Sequence, residues 1–119
     1  MAVEENKALL RRVIKEAHSE GDLDVVDETY ASDYMLHTPV FPTGEEIRGP
    51  EGIKQLISRQ HAAFPGLEFS VEDQIVEGDK VVTRYTASGA HRSAGIIISR
   101  IADGKIVEEW IEYRGSNIN

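Results

Sequence analysis

Between Phe64 and Trp110 the chain runs through four apolar-rich segments, residues 67–76, 80–86, 94–101 and 105–113, parted by Glu77-Gly78-Asp79-Lys80, Ser88-Gly89 and Asp103-Gly104-Lys105. Glycine beside Asp or Lys supplies the positive φ of a tight hairpin, while β-branched and aromatic side chains fill the stretches between. The pattern predicts a meander of antiparallel strands, opened by the helix-ending Phe64-Pro65-Gly66. Nearly all the helical signal lies before it. A sheet whose helices all sit on one side makes an α+β domain, with the place for a ligand between the two layers.

In the first half, Leu9, Leu10, Val13, Ile14 and Ala17 give residues 4–20 the spacing of a helix with one buried stripe, which Gly21 ends. Asp22 is placed to cap a short second helix over residues 23–30, with Leu23, Val26 and Tyr30 on one face. Residues 32–39 read as an extended segment that Pro39 and Pro42 terminate, and residues 41–49 as loop. Pro50 stands where a third helix begins, its inner face carrying Ile53, Leu56, Ile57, Gln60 and Phe64. With 119 residues, 40% of them hydrophobic, the chain reads as one domain, 1–119, able to bury a core.

Charge and cysteine content narrow the function classes. A formal net charge of -8 with no Lys/Arg cluster argues against nucleic acid and anionic membrane as partners. The absence of cysteine excludes disulfides, thiol catalysis and thiolate metal sites. His18, His37, His61 and His91 lack the paired spacing of metal-binding helices, so no metal is expected. The acidic start and the lack of a long apolar run lead us to expect a soluble, cytoplasmic protein.

Several blocks in order carry a resemblance: Gly21-Asp22-Leu23-Asp24, Tyr34 to His37, the Gly49 to Gly52 helix start, Ala63-Phe64-Pro65-Gly66-Leu67, the run from Glu77 to Tyr85, Gly89-Ala90-His91, and the run from Arg100 to Trp110. Together they resemble the SnoaL-like polyketide cyclases of the nuclear transport factor 2-like superfamily, over almost the whole chain. The resemblance implies a cone: a strongly curved antiparallel sheet around a hydrophobic pocket, closed by three helices, often dimeric through the outer sheet face. It also implies a cofactor-free aldol closure, in which a base takes a proton next to a carbonyl and the enolate attacks a second carbonyl.

Three departures bear on that activity. The family's acid/base aspartate, four residues after the strand tryptophan, is replaced by Arg114, whose guanidinium stays protonated and so cannot act as a base. The histidine common before the tryptophan is Glu109, and only Arg92-Ser93 remain where relatives have a longer excursion. That short connection implies a shallower or more open cone, or a wall supplied by a partner subunit.

Strict alternation along residues 105–114 puts Glu108, Trp110, Glu112 and Arg114 on one face, and Val107, Glu109, Ile111 and Tyr113 on the other. With Trp110 turned inward, Glu112 is the nearest spare carboxylate, and Val107, Ile111 and Tyr113 make an apolar outer face suited to a homodimer. The expected catalytic set is Glu112 or His37 as base, with Arg114 or Tyr34 as donor. The expected ligand wall is Tyr30, Tyr34, Phe64, Tyr85, His91 and Trp110. The same acids and arginine also fit a structural ion-pair group, and the same aromatics an ordinary core. The reading is thus a binder of a small apolar molecule, acting as a cyclase or isomerase, or else a non-catalytic member that has lost the family aspartate.

Overall fold

The fold is described from a computed structural model, over residues 2–37, 47–89 and 92–115. Helix α1 spans Ala2–Arg12, with Glu4 and Glu5 in its first turn and Arg11 and Arg12 in its last, each suited to the helix dipole there. It continues into a π-helical segment, Val13–Ser19, which buries Val13, Ile14 and Ala17 together. Helix α2, Leu23–Thr29, is capped by Asp22, whose carboxylate accepts the Asp24 N–H at 3.1 Å. The stretch read as helix to Tyr30 stops one residue earlier, because Tyr30 already has extended backbone and starts β1. Helix α3, Gly49–Ala63, begins with Pro50 in its first turn.

The strands are β1 Tyr30–His37, β2 Ile47–Arg48, β3 Glu68–Glu77, β4 Lys80–Ser88, β5 Ser93–Ala102 and β6 Lys105–Gly115. They form one curved, open sheet in the order β2-β1-β6-β5-β4-β3, with the three helices packed on its concave side. The meander over β3 to β6 is antiparallel as the turn glycines predict. At the β5–β6 turn Asp103 and Gly104 both take positive φ, 52° and 75°, the pattern of a type I′ hairpin. The sheet is nonetheless mixed. β1 comes from the helical half of the chain and joins β6 in parallel, where the resemblance implies an antiparallel sheet. β2, in a stretch read as loop, pairs antiparallel with β1; residues 38–46 lie outside the described part.

One irregularity determines the site. On the β5 side Ile106 faces Ile101, but Glu108 faces Arg100, so Val107 is an extra residue in β6. Such a bulge shifts the phase of side-chain alternation. Ile106 points inward before it; after it, Glu109 and Ile111 point inward, while Glu108, Trp110 and Glu112 lie on the outer face. The core between helices and sheet is built from Leu10, Val26, Leu36, Ile53, Ile57 and Ile106 with their neighbours. Among the described residues no helix is long and apolar enough to cross a membrane.

Candidate functional site

Between the helices and the inner sheet face lies a cavity of about 70 Å³. Leu10, Val13 and Ile14 of the first helix, Leu36 of β1 and Ile53 and Leu56 of α3 form its aliphatic wall. Tyr30, Tyr34, Phe69 and Tyr85 form the aromatic wall, and His18, Gln60 and Glu109 are its polar side chains. Gly95 makes room for one of these rings. It faces Tyr85 across the β4–β5 ladder, and a Cβ there would come within 2.6 Å of the Tyr85 hydroxyl. The ring can therefore lie over the glycine and meet Phe69 edge-on, with centroids 5.8 Å apart.

Glu109 is the one carboxylate on this wall among the described residues, and it is 2% exposed. The Tyr34 hydroxyl donates to its Oε1 at 2.7 Å and Ser99 Oγ donates to its Oε2 at 2.5 Å. Burial raises its pKa from 4.5 to about 7, against the lowering effect of the Ser99 and Tyr34 hydrogen bonds. The carboxyl group therefore changes charge close to neutrality. Tyr34 is held by the same geometry, and burial, aided by the negative charge of Glu109, pushes its own pKa well above the usual value.

A second polar pair shares the wall. His18 Nε2 and the Tyr30 hydroxyl lie 2.9 Å apart, and the Tyr30 ring meets Tyr34 edge-on at 4.7 Å. Burial, with His61 adding to it, lowers the pKa of His18 to about 4, so its imidazole is neutral at pH 7. Neighbouring elements hold this end of the π-helical segment. His61 of α3 donates from Nε2 to the His18 carbonyl at 2.7 Å, and Ser19 Oγ accepts the Phe69 N–H of edge strand β3 at 2.8 Å.

The expected site residues divide between the two faces of the sheet. Tyr30, Tyr34 and Tyr85 line the cavity. Trp110 does not: the bulge at Val107 turns it outward, where it stacks on His37 with centroids 5.5 Å apart. His37 is therefore on the outer face too, its Nε2 2.8 Å from Glu108 Oε2, while Arg100 donates to Glu108 Oε1. These contacts hold the Glu108 pKa below its usual value, the His37 hydrogen bond contributing most. Glu112 is exposed on the same outer face. Phe64 is 37% exposed because α3 ends at Ala63 and the chain leaves the inner face there; Phe69 of β3 occupies the cavity instead. Arg114 faces Ala94 in the ladder, and its side chain lies outside the described part, as does His91.

The alternation argument thus chose the wrong phase and passed over Glu109. A signal was present: an ionisable residue between Val107 and Ile111 on a face otherwise read as apolar. His18 was legible in the same way, four residues after Ile14 on the buried helix stripe. Among the described residues no group of three or more His, Asp or Glu is arranged to hold a metal ion. A larger groove, about 740 Å³, runs between α1 and the turns at Gly78-Asp79 and Asp103-Gly104. It is open, and its Arg12 is bonded to Glu16 and Glu28, so the titrating chemistry lies in the small cavity.

A three-helix, curved-sheet α+β fold with a cavity between its layers defines the nuclear transport factor 2-like class. The SnoaL-like domain profile matches residues 10–109, and the chain belongs to the SnoaL-like family. No curated protein matches. Among solved structures it is similar to wild-type IdmH, a proposed polyketide cyclase from Streptomyces antibioticus, at 27% identity and TM-score 0.80, covering 94% of this chain and 92% of that one. It also resembles a proposed SnoaL-like polyketide cyclase from Jannaschia sp. CCS1, at 22% identity and TM-score 0.81, covering 92% and 85% of the two chains. A protein of ketosteroid isomerase-like fold from Catenulispora acidiphila shares the fold at 14% identity, with TM-score 0.76 over 87% and 83%.

Proposed function

We propose that this protein binds a compact, largely apolar carbonyl compound in the cavity and moves a proton next to the carbonyl, with Glu109 as general base, as a cofactor-independent isomerase or cyclase. The observation that carries the reading is Glu109 itself: a carboxyl on an apolar wall, bonded to Tyr34 and Ser99, with a pKa of about 7. A base that titrates near the working pH combines an available charged form with useful basicity. The carboxylate oxygens keep lone pairs beyond those used by Tyr34 and Ser99, so the base is held in place yet open to a substrate proton. Names of the similar polyketide cyclases support the reaction class. The cavity volume, far below the ~300 Å³ at the lower end of drug-sized sites, favours a small substrate over an extended polyketide chain.

The test is exchange of α-hydrogens of acetone or butanone in D2O, followed by proton NMR. Wild-type protein accelerates the exchange, Glu109→Gln abolishes the acceleration, and Glu112→Gln leaves it intact. Wild-type exchange no faster than in buffer, with the ketone shown to bind, selects the non-catalytic ligand-binding reading instead.

The homodimer expected through the outer sheet face belongs to the same proposal. Its support is a row of outward residues in direct register, His37, Trp110, Ile98, Val82 and Ile75, crossing β1, β6, β5, β4 and β3. Ile75 and, beside the row, Ile96 are 64% and 45% exposed. Of the expected contact Val107, Ile111 and Tyr113, Ile111 lines the cavity instead, and the side chain of Tyr113 lies outside the described part. A cytoplasmic location, in keeping with the cysteine-free acidic sequence, completes the proposal.

A further inference from the structure

The His18–Tyr30 pair has no part in the proton transfer assigned to Glu109, yet it occupies the same small cavity. Resting on that assignment, we infer that Tyr30, backed by His18, binds the substrate's carbonyl oxygen, and that the substrate is an uncharged ketone or aldehyde bearing an α-hydrogen.

Three observations lead there. First, the hydroxyl of Tyr34 is engaged by Glu109, whereas that of Tyr30 meets an imidazole that can act in either direction. When neutral His18 carries its proton on Nε2, it donates to the Tyr30 oxygen and the phenolic hydrogen is free to meet a carbonyl. With the proton on Nδ1, Tyr30 donates to Nε2 and its oxygen can accept from an enol hydroxyl. One pair thus serves both the keto and the enol form. Second, the pair is held beside the base: the Tyr30 and Tyr34 rings are in edge contact at 4.7 Å, and the carbonyl of His18 is anchored by His61. Third, among the described residues no Lys or Arg lines the cavity, so a substrate carboxylate would lie beside Glu109 without a counter-charge from them.

The step is balanced without any further reagent. The α-C–H bond breaks, its proton goes to the Glu109 carboxylate, its electron pair forms the C=C bond, and the carbonyl π pair moves to the oxygen facing Tyr30. Return of the proton from Glu109 to the same or a neighbouring carbon completes exchange or isomerisation.

The experiment uses acetone labelled with ¹³C at the carbonyl, with saturation-transfer NMR to establish binding and isobutyrate as the anionic comparison. Bound to wild-type protein, the carbonyl carbon moves downfield, as a carbonyl accepting a hydrogen bond does; Tyr30→Phe, which keeps the ring, still binds acetone but loses that shift. In the exchange assay Tyr30→Phe lowers kcat on the order of a hundredfold, the scale of losing one donor to a developing oxyanion, with a much smaller change in KM. His18→Gln, which retains a neutral hydrogen-bonding group, preserves more of the shift than His18→Phe. Glu109→Gln keeps the shift while losing exchange. Loss of exchange with the shift retained, as in Glu109→Gln, thus concerns the base, and loss of the shift in Tyr30→Phe concerns the oxygen site. An unchanged shift in Tyr30→Phe, its loss in Tyr85→Phe or Gln60→Ala instead, absence of acetone binding to wild-type protein, or isobutyrate binding as tightly as acetone overturns the inference.

Discussion

Replacing Glu109 by glutamine changes how the fold responds to pH, and the change follows from two buried groups of opposite sign. In the folded protein Glu109 keeps its proton up to about pH 7, whereas an ordinary glutamate loses it near 4.5. Across that window the fold holds the extra proton, so this group makes stability fall as pH rises. At about 1.4 kcal/mol per pH unit, the effect amounts to roughly 3 kcal/mol. His18 works the other way. It stays neutral in the fold down to about pH 4, while in the unfolded chain it is protonated below 6.5, so its contribution to stability rises with pH between those values. Its size is similar, since the two pKa values move by about the same amount in opposite directions. In the wild-type protein the two trends offset each other between 4.5 and 6.5. Glu109→Gln removes one and exposes the other. Urea unfolding at about pH 5 and about pH 8 is the assay, and the stability of Glu109→Gln relative to wild type should increase by roughly 2 to 3 kcal/mol between them. A difference constant to within about 0.5 kcal/mol would refute the burial and the raised pKa together.

Other outcomes follow from the same structure. Gly95→Ala forces a methyl group against the Tyr85 hydroxyl and the Glu112 carbonyl, each 2.6 Å from the Cβ position, and lowers stability by about 1–3 kcal/mol in urea unfolding. Asp22→Ala removes the α2 cap and costs about 1 kcal/mol in the same assay. Glu108→Gln, at a position 26% exposed, costs less than about 1 kcal/mol and leaves ketone exchange unchanged. Ile98→Asp, in the middle of the outer row, shifts the sedimentation profile from dimer to monomer without loss of helical circular dichroism.

The meander was legible because its turns are chemical: Asp103-Gly104 must adopt positive φ, and the strands on either side follow from that. Helix starts at Asp22 and Pro50 were legible for similar local reasons. The face presented by β6 was not. It depends on Val107 having no counterpart in β5, a property of the pairing between two strands rather than of either sequence. That single extra residue exchanges Trp110 and Glu112 for Glu109 and Ile111 at the cavity. The parallel entry of β1 was hidden likewise, since the contact of Tyr30 with Ile106 spans most of the chain. The π-helical segment left no sequence trace, because Leu10, Ile14 and Ala17 fit an ordinary helix stripe equally well.

The orientation and environment of Glu109 are tested most directly by its own titration. With glutamate side-chain carboxyls labelled with ¹³C, and the Glu109 signal assigned by its loss in Glu109→Gln, the carboxyl shift is followed against pH. The structure predicts a midpoint near 7, well separated from the exposed glutamates. A midpoint at 4.5 or below would mean that this side chain faces water, and that the cavity holds no base.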